Sequence, residues 1–223
     1  MKPPDSTFIS SAEAAFIADV SDRQINRVID EQLVPAGLMQ VENGRRVSRL
    51  AAAFASFYFK TEALLTAQLR RDVVATIADR MRIQETLQSL SAFDADEKDL
   101  LTVTRSEMPG FKLDLASFFR EATARARLVD EALDRVSVDP EVLGGAPVFK
   151  GTRVPIETIL GSLDAGEEFG RLRQSYPFLT EELAEAARVY ATVRPRRGRP
   201  PRLSEVAPTV EVKSSKVVRP AGR

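Results

Sequence analysis

The sequence predicts a mainly α fold with small β elements: an N-terminal winged helix-turn-helix, a C-terminal three-helix domain of helix-turn-helix proportions, and a disordered basic tail. Three observations carry this. Two capping boxes in succession, Ser10 with Glu13 and Ser21 with Gln24, open two short helical segments on either side of an Asp-Val turn. "VENGRRVS" (41–48) follows, with Asn-Gly between short β-branched flanks, a hairpin signal. Near the other end, "GGAPVFKGTRVP" (144–155) precedes three short helical patterns punctuated by Gly166 and Pro177.

Taken in order, Ala14, Ala15, Ile17 and Ala18 continue the first helix. The second carries its apolar face at Ile25, Val28, Ile29 and Leu33, spaced i, i+3, i+4 and i+8, and Pro35 and Gly37 stop it. A long helix is expected from Ser48. Residues 61–92 read as helical but loosely amphipathic, a linker helix or a dimer arm. "FDADEKDL" (93–100) is an acidic turn; an EF-hand would not place Lys98 at its third ligand position or omit the loop glycine. "LLTVT" and "FKLDL" flank a Met-Pro-Gly turn as a small β-pair, and a helix is expected over 116–136. Three short helices then span 155–164, with Pro155 at the start and Gly166 past the end, 167–176, and 180–190 with Thr180 as N-cap and Glu181 and Glu182 in the first turn. The expected organisation is a DNA-binding unit at 1–60, a connector at 61–136, a small helical domain at 137–192 and the tail at 193–223.

Composition narrows the chemistry. The 223 residues include no His and no Cys, so a Ser-His-Asp triad, a cysteine nucleophile, a disulfide framework and imidazole or thiolate zinc sites are all excluded. Carboxylate metal sites and Ser-Lys chemistry stay open, but no catalytic residue, metal site or cofactor is expected. "MKPPDSTF" has no cationic start with an apolar run behind it, and "LAAAFASFYF" (50–59) is far shorter than the ~18–20 residues of a membrane span. The expectation is a soluble, cytoplasmic protein. Formal net charge is zero but unevenly spread. From Ala191 onward nine basic residues face two acidic ones, a net +7 that leaves −7 on the rest of the chain and implies a polyanionic or acidic partner for the tail.

The second helix offers Ser21, Arg23, Gln24, Asn26 and Arg27, side chains suited to base edges: Arg pairs with guanine, Asn and Gln with adenine. In the wing, Asn43, Arg45 and Arg46 would lie beside the phosphate backbone. Any short helix turns polar residues outward, so the argument rests on the combination of two capping boxes, the short turn and the Asn-Gly-Arg-Arg wing. Together they favour operator DNA, bound as a homodimer.

The glycine-rich stretch is not a phosphate loop. A P-loop separates its glycines by four residues and follows the second with Lys and Ser or Thr. Here five residues separate Gly145 from Gly151, and Lys150 comes before the second glycine. The order G-x-G-x-x-G of a dinucleotide turn is missing too.

Residues 138–191 resemble a small bacterial domain of unknown function found in VapB-type antitoxins. Asp139-Pro140, Gly144-Gly145, Pro147, Gly151-Thr152-Arg153, Pro155, Gly166, Tyr176-Pro177 and Thr180 carry the likeness in order and spacing. The N-terminal part resembles the winged helix-turn-helix that precedes this domain in larger members; residues 61–135 match only in having helix, β-pair and helix. The nearest family picture is the mycobacterial-type VapB antitoxin, whose partner is a small PIN-type ribonuclease. The resemblance implies a repressor and toxin-neutralising protein with no catalysis of its own. It also implies a scaffold role for Gly144, Gly145, Pro147, Gly151, Thr152, Arg153 and Pro155, with turns of positive φ at the glycines and Arg153 paired to a carboxylate or a phosphate.

The tail segment "RPRRGRPPR" spaces Arg194, Arg196, Arg197, Arg199 and Arg202 along a proline-rich backbone. Its Arg-Gly-Arg-Pro core matches the AT-hook pattern, which lies in a narrow A·T minor groove. A solubilising tail is the plainer reading. The antitoxin resemblance adds a third, in which these arginines pair with the carboxylates of the nuclease site; it favours toxin contact for the tail and DNA for the N-terminal helix. The competing functions are a stand-alone regulator or architectural protein with an AT-hook-like tail, and a Mg²⁺-dependent hydrolase, for which no carboxylates are persuasively placed.

Overall fold

A computed structural model describes residues 8–42, 44–83, 101–104 and 110–195. The expectations for Asn43, for the acidic turn at 93–100, for Met108 and Pro109, and for the tail beyond 195 lie outside the described residues. The fold is mainly α with three small antiparallel sheets.

The N-terminal unit runs β1 (Ile9–Ser10), α1 (Ser11–Ala18), α2 (Asp22–Asp30), a 3-10 turn (Ala36–Leu38), β2 (Met39–Gln40), β3 (Arg46–Val47) and α3 (Arg49–Lys60). Local chemistry sets its boundaries. Ser10 Oγ accepts from the Glu13 amide at 3.2 Å and opens α1. At the other end Asp19 takes a left-handed φ of 55°, and the Val20 amide donates back to Ala15. The capping box of α2 is complete: the Gln24 amide donates to Ser21 Oγ at 3.3 Å, and the Ser21 amide donates to Gln24 Oε1 at 2.9 Å.

α2 stops sooner than the apolar spacing predicts. Gln32 adopts φ 49° and the Leu33 amide turns back to Val28 O at 3.0 Å, so Leu33 is buried just past the helix instead of on it. Such a left-handed closure brings the apolar residue after the helix onto its last turn. A further helical turn would bury the same residue, which is why periodicity alone overran the end. β3 lies centrally in the sheet, with Ile9 and Met39 opposite Val47, and Ser10 and Gln40 opposite Arg46. β1 thereby ties the wing back to the start of α1.

α3 is opened by Ser48 Oγ, which accepts from the Ala51 amide, and is buried on all sides from Leu50 to Phe59. α4 (Ala67–Ile83) packs against it. Over the described residues 67–83 the expectation of loose amphipathicity is corrected, because Arg70, Val73, Val74, Ile77, Ala78 and Met81 form one buried stripe at helical spacing; residues 84–92 of the expected helix lie outside the described residues. Arg70 concealed the stripe. Its guanidinium lies 4.2 Å from the centroid of the Tyr58 ring and donates to Tyr58 O, so a charged residue occupies a core position.

β4 (Thr102–Thr104) and β5 (Lys112–Asp114) pair antiparallel, and α5 (Ala116–Arg135) follows, ending one residue before the predicted 136. α5 is the spine. It buries Ala116, Phe119, Ala122, Ala126, Val129 and Ala132, and it meets α1, α3 and α8. The alanines bring those helices close, while Phe119 meets Phe54 edge-to-face at 5.4 Å.

The C-terminal part comprises β6 (Val136–Ser137), β7 (Val148–Phe149), α6 (Ile156–Asp164), α7 (Phe169–Ser175) and α8 (Glu181–Val193). Gly166, at φ 87°, closes α6 with the Glu167 amide on Ser162 O. α8 extends three residues past the predicted end at 190, because Tyr190 and Val193 bury against the rest of the molecule. One buried cluster runs from Ile9 to Val193.

Candidate nucleic-acid interface

α2 and the wing bring the predicted DNA-contacting residues onto one unit, but they do not leave all of them free. Ser21 and the Gln24 carbonyl oxygen are spent on the capping box, so Gln24 keeps only its amide N–H groups for a base. Arg23 is exposed, Asn26 is half-buried, and neither has an ion pair or hydrogen bond among the described residues. Arg27 donates from Nε to Glu31 Oε1 at 2.9 Å and from Nη2 to Oε2 at 3.4 Å, and it lies 5.4 Å from the centroid of the Phe59 ring. That hydrogen bond holds the Glu31 carboxyl below its usual range and raises Arg27. Arg45 pairs with Asp30. Arg46, beside it on β3, is exposed and has no ion pair among the described residues.

Among the described residues, Arg23 and Arg46 are therefore the cations of the unit without an ion pair, while Arg27 and Arg45 are exposed pairs that a phosphate can open. Exposed pairs of this kind contribute little to stability, because solvent and salt screen them. Residues 8–60 hold six basic and six acidic side chains, and besides Arg27 and Arg45 the structure ties up Arg49, with Asp130 and Glu13, and Lys60, with Asp19 and Glu121. Charge on this unit alone gives little pull on a polyanion.

One residue assigned to the tail has a different place. Arg194 donates from Nη1 to Glu13 Oε2 at 2.8 Å, and Glu13 is only 2% exposed. Arg49 reaches the other oxygen at 3.5 Å and donates to Asp130. A buried carboxylate on α1 is thus held by cations from α3 and from the end of α8. Sequence reasoning missed Glu13 as anything but a capping residue, because its partners stand 36 and 181 positions away. Arg194 faces the helix-turn-helix in this arrangement; Arg196, Arg197, Arg199 and Arg202 lie outside the described residues.

The glycine-rich stretch folds on itself. Gly144, Gly145 and Gly151 take φ of 64°, 83° and 79°. Thr152 Oγ1 donates to Phe149 O and accepts from the Val154 amide, the Phe149 amide donates to Val154 O, and Pro147 O accepts from the Ile156 amide. Pro155 stands at the N-cap of α6. Arg153 is exposed and has no ion pair among the described residues, so of the partners expected for it, a carboxylate from a neighbouring helix or subunit or a phosphate, no carboxylate of a neighbouring helix meets it there. The last helix of this domain is no free reading head. α8 packs on α5 and α1, and its outer face carries Glu181, Glu182, Glu185 and Arg188. Among the described residues no three carboxylates converge, and no helix is long and apolar enough to cross a membrane.

Residues 136–191 match the family model DUF433, a protein family of unknown function. Over 200 residues the chain is 32% identical to the uncharacterized protein y4eO of Sinorhizobium fredii (strain NBRC 101917 / NGR234), covering 88% of this chain and 86% of that protein. The crystal structure of Rv2018 from Mycobacterium tuberculosis aligns over 79% of this chain and 95% of its own, at 19% identity and a TM-score of 0.33. The chain belongs to the family of the y4eO protein and carries a DUF433 domain at 136–191.

Proposed function

We propose that this chain is a cytoplasmic, dimeric, operator-binding antitoxin of the VapB kind, which represses its own operon and neutralises a PIN-type ribonuclease. The observation that supports the DNA-binding part is the rigid α1–turn–α2 pair, capped at both helix starts, with a three-stranded wing that sets Arg46 beside it. α2 then enters the major groove with Arg23, Asn26 and Arg27 toward base edges, and Arg45 and Arg46 meet phosphates. Neutralisation of a nuclease rests on the resemblance of residues 138–191 to antitoxin domains.

Footprinting of the chain on its own promoter region tests the first part. The expected result is a protected palindrome with half-sites about 10 base pairs apart or a multiple of that. Arg23→Ala should relax base preference at one position of each half-site, at a cost of about 1–3 kcal/mol. Co-expression with a PIN-type nuclease encoded beside it tests the second: growth should be restored by this chain. A footprint without any such rescue would leave a stand-alone regulator.

A further inference from the structure

We propose that Asp30 and Glu31, at the C-terminal end of α2, make the DNA-binding unit selective. They hold Arg27, Arg45 and Arg71 away from non-cognate phosphates and release them only where a cognate site offers partners of matching geometry. The proposal rests on the reading of α2 and the wing as a DNA-binding unit, and three observations on the folded chain carry it further.

The first is what the two carboxylates collect. Asp30 is the last residue of α2 and Glu31 is its C-cap. Glu31 accepts from Arg27 Nε at 2.9 Å and from Arg27 Nη2 at 3.4 Å, and its Oε2 stands 3.7 Å from Nη2 of Arg71 on α4. Asp30 accepts from Arg45 of the wing. Two adjacent side chains thus neutralise cations drawn from three elements.

The second is that α2 itself gains nothing from acidic residues at these positions. The C-terminal end of a helix carries partial negative charge and favours cations, so two carboxylates oppose the macrodipole there. The i,i+4 pair Arg27–Glu31 also runs in the less favourable direction, with the cation N-terminal to the anion. All five side chains are between 38% and 59% exposed, so water and salt screen the pairs and they add little to stability. Their effect falls instead on what approaches from solvent.

The third is the geometry of exchange. The Arg27 guanidinium lies 5.4 Å from the centroid of the Phe59 ring, which together with Glu31 fixes its place on the helix. A guanine edge presents O6 and N7 as two acceptors side by side, and these replace the two oxygens of Glu31 one for one. A phosphate out of register meets Arg27 with its N–H groups engaged, and it meets two negative charges beside them. Discrimination arises from that penalty on wrong sites as much as from contacts to the right one.

The test compares the full chain with its Asp30→Asn/Glu31→Gln variant on two duplexes, the footprinted palindrome and a scrambled sequence of the same length and composition. The variant leaves six basic and four acidic side chains in residues 8–60. The expected result at about 0.1 M salt is a gain of about tenfold on the scrambled duplex and a change within about threefold on the palindrome. On the scrambled duplex the slope of log affinity against log salt should steepen by about one, the mark of one further phosphate neutralised. Glu31→Asp, which keeps the charge, should retain discrimination within about threefold of the wild-type chain.

An equal gain on both duplexes would overturn the proposal, because the added charge would then act without regard to sequence. Unchanged affinities on both would overturn it too. So would a loss confined to the palindrome, which would make the carboxylates readers of cytosine N4. In each of these three cases the wild-type footprint remains and the DNA-binding reading stands. A wild-type chain that binds neither duplex, or binds both alike, overturns that reading together with the proposal.

Discussion

Glu13 is the residue on which the two ends of the chain meet. Its carboxylate is buried on α1, yet it stays satisfied because Arg194 and Arg49 approach its two oxygens from α8 and α3. Arg49 is itself raised, first by its hydrogen bond to Asp130 and with Glu13 contributing. Arg194→Ala leaves the buried carboxylate with only the 3.5 Å approach of Arg49. The expected cost is about 1–3 kcal/mol, seen as a lower urea midpoint with an unchanged slope. An unchanged midpoint would show that the pair contributes nothing.

Other carboxylates set the acid limb of stability. Asp19 is held below its ordinary value of 3.8, chiefly by the hydrogen bond from Lys60, with Arg125 and Lys60 adding through charge. Glu31 is held below 4.5, chiefly by the hydrogen bond from Arg27. Because the folded values lie below the unfolded ones, the unfolded chain binds more protons in this range, and stability rises with pH through it. The contribution is present above the ordinary values and is lost as pH falls through the lowered ones. Thermal melts from about pH 5 down to pH 3 should show a steady drop, and Asp19→Asn should flatten part of it.

At the scale of elements, the helix starts were legible because capping is local. Ser10, Ser21, Ser48 and Thr180 each accept from the amide three residues on, and each was readable as a Ser or Thr that opens a helical pattern. Ser21→Ala should cost about 1 kcal/mol and fray the first turn of α2, which circular dichroism and the denaturation midpoint would report. Helix ends were less legible. Gln32 adopts a left-handed φ without being glycine, and nothing in its identity announces it. The β4–β5 pair and the extent of α5 followed from apolar runs around a turn. The buried stripe of α4 did not, since a buried arginine stacked on a tyrosine reads as a surface residue until its partner is known. α3 packs on α5 in the middle of the molecule. Phe54→Ala removes a ring with no exposed surface that packs edge-to-face on Phe119, and a loss of about 3–5 kcal/mol is expected in equilibrium unfolding.

For the whole molecule, the distribution of charge and the docking of α8 matter most. α8 bridges the DUF433 domain and the helix-turn-helix by packing on α5 and α1, and it brings Arg194 and Pro195 into a cleft shared with Ser10 and Arg46. The DNA reading predicts a steep salt dependence for binding, and removing tail cations should make the slope shallower by about one for each phosphate that is no longer neutralised. A slope that is the same with and without them would mean that the tail stays off the DNA.

The sequence by itself determined what depends on near neighbours. It placed most helices and small strands, the capping box at Ser21, the side-chain cap at Ser10 though not the return bond expected from Glu13, the wing hairpin, the positive-φ turns at Gly144, Gly145 and Gly151, and the likeness of residues 138–191 to a known domain. Each of these follows from residue types within a few positions of one another, where steric and hydrogen-bonding rules act directly. Only the tertiary structure decided which arginines of the candidate interface are already paired, that α5 is the spine between the two ends, and that Arg194 closes on Glu13. Those outcomes join residues up to 181 positions apart, and proximity at that separation is set by how the helices pack.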